Sequence, residues 1–295
     1  MNALRKMLAL STMAVVLALS GCSQLTVLDP KGPVGAAQRD LIMLSIWFML
    51  FIVGVVFVLF TIFIVKYRER PGDKDRETVE QEGSKVLEIV WTAIPILIVI
   101  ALSVPTVKTI YALEEAPKAT AHKEPLVIEA TSVDWKWIFT YPEQNIETVN
   151  YLHIPEDRPV LFKLTSADSM AALWIPSLGG QKYNMAGMQT KLYLQADEPG
   201  VYKGRNANYT GEGFAEQRFK VYAQKEKDFE SWVQKVQQTA PKLTKDQYDQ
   251  LMLKGNTDNM TFSSTHSKWV DHAKEADYAI KVRKEHNNGE AKESH

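Results

Sequence analysis

The run LIMLSIWFMLFIVGVVFVLFTIFIV at residues 41–65, followed by IVWTAIPILIVIALSVPTV at residues 89–107, decides the architecture of this 295-residue chain. Neither run contains a charged residue. Crossing the hydrocarbon core of a bilayer takes about 20 apolar residues, so both runs are of spanning length. The second run contains Pro95 and Pro105, which neighbouring helices in a membrane can accommodate but a soluble core helix rarely would. The sequence therefore predicts two membrane-spanning helices.

The basic residues between the two runs predict which side of the membrane the rest of the chain faces. Residues 66–88 contain six of them, Lys66, Arg68, Arg70, Lys74, Arg76 and Lys85. The flank between Cys22 and the first run has only Lys31 and Arg39. Loops rich in Lys and Arg stay in the cytoplasm. We therefore expect residues 66–88 to be cytoplasmic and residues 108–295 to face the outside of the cell membrane.

The N-terminus has the pattern of a secretory signal. Arg5 and Lys6 precede an apolar stretch at residues 7–19, and Leu19-Ser20-Gly21-Cys22 resembles a bacterial lipobox. That resemblance implies that residues 1–21 are a signal peptide and that the thiol of Cys22 receives diacylglycerol, which makes residues 22–40 a lipid-anchored segment. Cys22 is the only cysteine of the chain, so no disulfide can form within it.

The residues after the second run have the texture of a soluble domain. Lys and Arg total 34 against 35 Asp and Glu, and this balance gives no reason to expect nucleic-acid binding. After a charged linker at residues 108–125, short alternating segments predict strands. The candidates are Leu126–Thr131, Asp134–Tyr141, Val160–Thr165, Gln189–Ala196, Val201–Lys203 and Arg218–Ala223. Many short strands without a long helix between them predict a sandwich or barrel over residues 126–225.

Residues 226–285 have helical patterns instead. An i, i+3, i+4, i+7 spacing predicts one apolar helix face made of Phe229, Trp232, Val233 and Val236. Thr244 with Gln247 predicts a capping box, Leu243 with Tyr248 its hydrophobic staple, and Gly255 a stop. We expect another helix over residues 266–284, and disorder over residues 286–295, which have little apolar surface.

Several local motifs resemble subunit II of the heme-copper oxidases. LEIVWTAIP at residues 87–95 is similar to that family's L-E-x-x-W-T-x-x-P motif at the start of the second helix. VDWKWIF at residues 133–139 resembles its aromatic W-K-W segment, and WIP at 174–176 the tripeptide after its first copper ligand. VLDPKGPV at 27–34 and SMAALWIP at 169–176 are most similar to the menaquinol-oxidising branch of Gram-positive bacteria. The resemblance covers residues 22 to about 285.

The resemblance implies a fold and a function. The expected fold is membrane α + β, in which a two-helix transmembrane hairpin is followed by a cupredoxin-like β-sandwich and a C-terminal helical extension. The expected function is that of a non-redox subunit of a proton-translocating quinol:oxygen oxidoreductase in the aerobic respiratory chain. Its implied partners are subunit I, which would carry the heme and copper, the other oxidase subunits, menaquinol and the lipid bilayer.

The copper ligands of this family have no counterpart in the chain. The branch that accepts electrons from cytochrome c carries a dinuclear copper centre on an upstream histidine and a C-x-E-x-C-x3-H-x2-M motif. Aligned on PGVYKG at residues 199–204, these positions hold Ala171, Asn206, Asn208, Thr210, Phe214 and Gln217. Such copper needs thiolate and imidazole donors, which none of these residues supplies. We therefore expect no metal or other cofactor on this chain and no reaction with cytochrome c.

Glu88 has two compatible interpretations. An acidic residue at a helix start is commonly a solvated charge that the helix dipole favours. The family resemblance implies in addition that the matching glutamate stands near the mouth of a proton channel leading into the catalytic subunit, and charges at membrane boundaries often mark proton relays.

Other residue types that could suggest a site are interpreted as structural. Met185 and Met188 have no His or Cys nearby in sequence and are expected to pack. The histidines show no ligand spacing; they are His122, His153, His266, His272, His286 and His295. Trp135 and Trp137 alternate along a predicted strand, so they would share one face, either as core residues or in an electron path.

Two functions of other classes remain open. A lipoprotein could use a copperless β domain to bind a ligand, but a single lipid anchor would suffice for it. A membrane-tethered copper chaperone would need clusters of Met, His or Cys, which the sequence lacks.

Overall fold

The computed structural model describes residues 25–68 and 83–293, with side chains to residue 288. The predicted signal peptide, Cys22 and His295 lie outside the described residues. The chain divides into two compact units, Ala37–Leu113 and the remainder on either side of it.

The first unit consists of two long helices. Helix α1 is Pro33–Tyr67 and helix α2 is Lys85–Ala112, and both are long and apolar enough to cross a membrane. Pro95 and Pro105 lie inside α2. The predicted linker begins later than expected, because α2 continues to Ala112, where the N–H of Leu113 caps it through the carbonyl oxygen of Thr109 at 2.9 Å.

The second unit is a two-sheet β-sandwich, as the predicted fold class requires. Its strands are β1 (Leu126–Val133), β2 (Lys136–Tyr141), β3 (Ile146–Val149), β4 (Tyr151–Pro155), β5 (Val160–Ser166), β6 (Ala171–Ile175), β7 (Gly179–Asn184), β8 (Thr190–Leu194), β9 (Gly200–Asn206), β10 (Arg218–Gln224) and β11 (Met260–Phe262). One sheet has the order β11-β3-β2-β1-β5-β8 and the other β4-β10-β9-β6-β7. The β1–β5 and β4–β10 pairs are parallel, and the other pairs are antiparallel.

Strand β2 is buried on both of its faces. On the side between the sheets, the rings of Trp137 and Phe139 pack on Phe219 with centroids 5.5 and 5.0 Å away. On the other side, Ile138 joins a buried cluster with Tyr248 and other residues of the C-terminal region. The C-terminal extension therefore covers a sheet face that would otherwise be exposed.

The predicted strands correspond to β1, β2, β5, β8, β9 and β10, while five strands were not predicted. The boundary predicted at Asp134 is wrong, because Asp134 and Trp135 form a turn and β2 begins at Lys136. Strand β3 is buried at every position, β6 is buried at all but one, β7 begins with two glycines and β11 has only three residues. Strand β4 alternates over its first four residues but is only five residues long.

The C-terminal region contains α3 (Glu226–Thr239), α4 (Lys245–Met252) and α5 (Tyr278–Glu293). Phe229 and Val236 are the buried residues of α3, and the predicted capping box of Thr244 with Gln247 is confirmed. The predicted stop lies late, because α4 ends at Met252.

Two predictions at the C-terminus are wrong. The helix expected over residues 266–284 begins only at Tyr278, because residues 266–277 form turns that carry the buried His266 and His272. Residues 286–293, expected to be disordered, continue α5. A helix that is already nucleated adds further residues at little cost, so the anchored first turns support the polar end.

The N-terminal segment of the second unit docks on the sandwich through its backbone. The N–H of Lys31 donates to the carbonyl oxygen of Ser177 at 2.6 Å, and that of Gly35 to Leu178 at 3.0 Å. A Cβ at Gly32 would overlap the carbonyl oxygen of Gln195. This close approach explains the glycine in the VLDPKGPV motif.

Candidate functional site

The positions that match copper ligands form a closed network of uncharged side chains. Asn206 ends β9 and Gln217 immediately precedes β10, and both are buried. The Asn206 Nδ2 donates to Gln217 Oε1 at 2.8 Å and to Thr210 Oγ1 at 3.2 Å. Asn206 Oδ1 accepts the backbone N–H groups of Ala172 and Asn208, both at 2.9 Å. All the hydrogen-bonding capacity of the Asn206 amide is therefore used.

Gln217 connects this network to the other sheet. Its Nε2 donates to the backbone carbonyl oxygens of Lys136 at 3.3 Å and Val133 at 3.4 Å. Amide groups that are fully hydrogen-bonded within the protein have no lone pair directed at a metal. In the described part of the chain, no group of three or more His, Cys, Asp or Glu could hold a metal ion.

The remaining positions of the set lie around the network without completing a ligand shell. Ala171 is buried in β6 next to Ala172 and pairs with Asn184 of β7. Asn208 donates through Nδ2 to the carbonyl oxygen of Met170 at 2.6 Å. Phe214 begins a 3-10 turn and contacts the ring of Tyr209, with centroids 5.7 Å apart.

Trp135 holds the loop between β9 and β10. Its Nε1 donates to the carbonyl oxygen of Thr210 at 3.1 Å. The indole covers Gly213, where a Cβ would overlap the ring. Trp135 lies in the turn before β2 and Trp137 in the core, so the prediction that they share a strand face is wrong.

Comparisons with known proteins show which family the chain belongs to. A family model described as "Cytochrome C oxidase subunit II, transmembrane domain" matches residues 24–109. A quinol oxidase subunit 2 of Bacillus spizizenii is 67% identical over 284 residues, which cover 96% of this chain and 88% of that protein. A probable quinol oxidase subunit 2 of Staphylococcus haemolyticus is 46% identical, over 91% of this chain and 71% of that protein. This chain belongs to the quinol oxidase subunit 2 family.

Among solved structures, the periplasmic domain of subunit II of cytochrome oxidase (CoxB) from Bradyrhizobium japonicum is similar to part of this quinol oxidase subunit 2 chain. The TM-score is 0.37 at 23% identity, and the match covers 38% of this chain and 93% of that domain.

Glu88 lies in the first turn of α2, where the family motif places it. Its backbone N–H donates to the carbonyl oxygen of the cap residue Ser84 at 3.1 Å, and its carbonyl oxygen accepts from Thr92 Oγ1 at 2.9 Å. The Glu88 side chain is exposed and has no ion-pair or hydrogen-bond partner among the described residues. A free carboxylate at a helix N-terminus is compatible with both interpretations of this residue.

A second polar cluster fastens α5 to the turn at Asp134. Arg283 Nη2 forms an ion pair with Asp168, and Ser169 Oγ donates to Asp134. Burial raises the pKa of the Asp134 carboxyl. Lys136 Nζ donates to the carbonyl oxygen of Leu253 at 2.6 Å, and burial, reinforced by Arg283, lowers the Lys136 pKa to about 8. These contacts join the C-terminal extension to the sandwich.

A third cluster was not predicted from the sequence. Glu147 is fully buried in β3, and its Oε2 accepts from His266 Nδ1 at 2.6 Å and Thr140 Oγ1 at 2.9 Å. Although burial opposes it, the Glu147 carboxylate raises the pKa of His266. Tyr248 OH lies 2.7 Å from His272 Nε2, and burial, with the charge of His266, lowers the His272 pKa to about 3.

The packing of this cluster indicates a structural role. The Tyr248 ring stacks on His266 with centroids 4.4 Å apart, and both belong to the C-terminal extension that covers β3. The sequence signal that came nearest to predicting this cluster was the capping box before Tyr248, because the box placed Tyr248 at the start of a packed helix.

The remaining methionines and histidines that the sequence analysis considered lie apart from these clusters. Met188 is 45% exposed, so the expectation that it packs is wrong for this residue. His153 stacks on Trp232 with centroids 4.2 Å apart, and burial lowers its pKa. His122 is exposed.

Proposed function

We propose that this chain is the non-redox subunit II of a heme-copper quinol oxidase, in which quinol oxidation and oxygen reduction take place in subunit I. The single observation that carries the proposal is the closed network of Asn206, Thr210 and Gln217 at the copper position. An outer domain without a copper relay suits an enzyme whose donor, a quinol, arrives within the membrane. Menaquinol is the donor that the resemblance to Gram-positive oxidases favours.

The test compares two electron donors on one preparation. The purified complex should consume oxygen with a reduced menaquinol analogue and not with reduced cytochrome c, and elemental analysis should assign its copper to subunit I. Two additional coppers on this chain, or turnover with cytochrome c, would contradict the proposal.

We further propose that the second unit faces the outside of the cell and that Cys22 carries diacylglycerol. The lysines and arginines of residues 66–88 support this sidedness, because such residues keep a short loop cytoplasmic. Protease added to intact spheroplasts should cut residues 114–293. Cleavage only after the membrane is opened would contradict the orientation.

Glu88 is proposed to supply protons to subunit I from the cytoplasmic side. Its support is the exposed, unpaired carboxylate at the first turn of α2. Glu88→Gln keeps the size of the side chain but removes its titratable proton, so quinol oxidation per heme should slow several-fold while assembly is unchanged. Glu88→Asp should retain more activity.

A matched control for Glu88 lies in the outer unit. Glu230 is an exposed glutamate on α3, and Glu230→Gln should leave turnover unchanged. If Glu88→Gln also turns over at the native rate across the working pH range, Glu88 is only a solvated charge at a helix start.

A further inference from the structure

Four cations lie together on the outer face of the five-stranded sheet. Arg205 lies directly opposite Arg218 across β9 and β10, and Lys203 lies directly opposite Lys220. All four residues are exposed. Residues two apart on a strand share a face, so the two pairs are adjacent. We call this group of four the basic ladder.

The described residues do not neutralise the basic ladder. Among the described residues, no carboxylate forms an ion pair with any of the four. Arg205 lies over the ring of Trp174 at 4.6 Å, and Arg218 Nε donates to the carbonyl oxygen of Ala215 at 2.6 Å. Like charges directly opposite each other destabilise a sheet, so an arrangement of two adjacent pairs is costly without an anionic partner.

The other sheet provides a comparison. Lys163 lies directly opposite Lys191 across β5 and β8, but the next pair on that face is the uncharged Leu161 and Tyr193. A single lysine pair can splay its flexible stems apart in water. The basic ladder has a second pair beside the first and contains two arginines, whose planar guanidinium groups match phosphate geometry.

The ladder lines a cleft of about 670 Å³ that also has uncharged polar side chains. Those side chains belong to Thr26, Asn150, Ser177 and Asn259. Hydroxyl and amide groups can donate hydrogen bonds to phosphate oxygens, and cationic donors make such bonds stronger. The cleft therefore has the chemistry of a site for a phosphate ester.

The position of Thr26 indicates where that phosphate comes from. Thr26 is four residues after Cys22, and four extended residues span at most about 14 Å. If Cys22 is acylated as proposed above, its acyl chains enter the membrane within that reach of the cleft. We propose that the basic ladder binds the phosphate headgroups of anionic phospholipids at the membrane surface. The choice of lipid over an acidic protein surface thus rests on the proposed acylation.

The test measures whether anionic lipid protects the ladder lysines from an amine-reactive reagent. The full chain is reconstituted in nanodiscs of phosphatidylcholine, or of phosphatidylcholine and phosphatidylglycerol at three parts to one. Mass spectrometry follows the labelling of Lys203 and Lys220, with the exposed Lys227 of α3 as the internal control. Each basic residue near an anionic surface raises the affinity for that surface by a factor of about five. We expect phosphatidylglycerol to slow the labelling of each ladder lysine by about the same factor. High salt should abolish the protection.

Two variants show whether the ladder itself is responsible. Arg205→Gln with Arg218→Gln should remove most of the protection of the ladder lysines. Lys163→Gln with Lys191→Gln, which removes the opposed pair of the other sheet, should leave it intact. Inorganic phosphate added to phosphatidylcholine discs should give no protection, which separates a lipid headgroup from the free ion.

Three outcomes would overturn the proposal. They are equal labelling in the two lipids, protection by free phosphate alone, and protection that arises in phosphatidylcholine only when the other oxidase subunits are present. The last result would identify an acidic protein surface as the partner. The mass of the Cys22 peptide is read in the same sample, so failure of acylation and failure of lipid binding are scored separately.

Discussion

Replacing Asn206 with leucine tests whether the amide network is what fills the copper position. Leucine has the same number and branching of side-chain heavy atoms as asparagine but can form none of the four hydrogen bonds of that side chain. The backbone N–H groups of Ala172 and Asn208 would lose their acceptor. We therefore expect a folded but markedly less stable second unit.

The magnitude follows from the two N–H groups left without a partner. A buried donor without an acceptor costs about 1 to 3 kcal/mol, so two give about 2 to 6 kcal/mol. Gln217 keeps its bonds to Val133 and Lys136, so the rest of the network persists. For a unit of this size, a loss of about 4 kcal/mol lowers the midpoint of thermal unfolding by about 10 °C.

The assay is thermal unfolding of the full chain in detergent, monitored by the near-ultraviolet circular dichroism of the second unit. Asn208→Leu is the matched control, because it makes the same substitution two residues away and removes only the bond to the Met170 carbonyl oxygen. That control should cost about 1 kcal/mol. If Asn206→Leu unfolds at the same temperature as Asn208→Leu, the network does not stabilise this loop and the reasoning is refuted.

Three further predictions follow from other parts of the chain. Because burial lowers the pKa of His272 from 6.5 to about 3, the unfolded state takes up a proton at this residue near pH 6.5 and the folded state does not. The free energy of unfolding should therefore fall by about 2 kcal/mol between pH 6.5 and 5. Urea titrations measure this slope, and His272→Gln should flatten it. An unchanged slope would contradict the burial of a neutral imidazole. Gly213→Ala should displace the Trp135 ring and cost about 1 to 3 kcal/mol, with a shifted tryptophan emission; native emission would exclude the overlap. Cys22→Ser should abolish diacylglycerol attachment, which mass spectrometry measures, while both spans still hold the chain in the membrane.

The copper position could be interpreted from the sequence because it depends on residue chemistry. Asn206, Thr210 and Gln217 lack thiolate and imidazole groups in any fold, so the prediction that they are not copper ligands depends on side-chain chemistry alone. What replaces the metal could not be predicted. The bond between Asn206 and Gln217 depends on how the loop between β9 and β10 folds back, which neither residue type specifies.

Strand β3 could not be predicted from its own sequence, because a distant segment covers it. A glutamate such as Glu147 is ordinarily exposed, yet this carboxylate is buried because His266 pairs with it from 119 positions along the chain. The prediction of a helix over residues 266–284 was wrong for the same reason, because contacts with residues distant in sequence decide the structure there. The turns there place His266 and His272 into a core, whereas the local pattern favoured a helix.

Side chains at the positions that align with copper ligands cross-link the loop between β9 and β10. Here Asn206 joins the backbone of β6 at Ala172 to Gln217 before β10, and Gln217 continues to the turn before β2. Uncharged amides suit this place, because a buried charge without a counter-ion would cost several kcal/mol. The network therefore joins the loop between β9 and β10 to both sheets through side chains that have no redox chemistry.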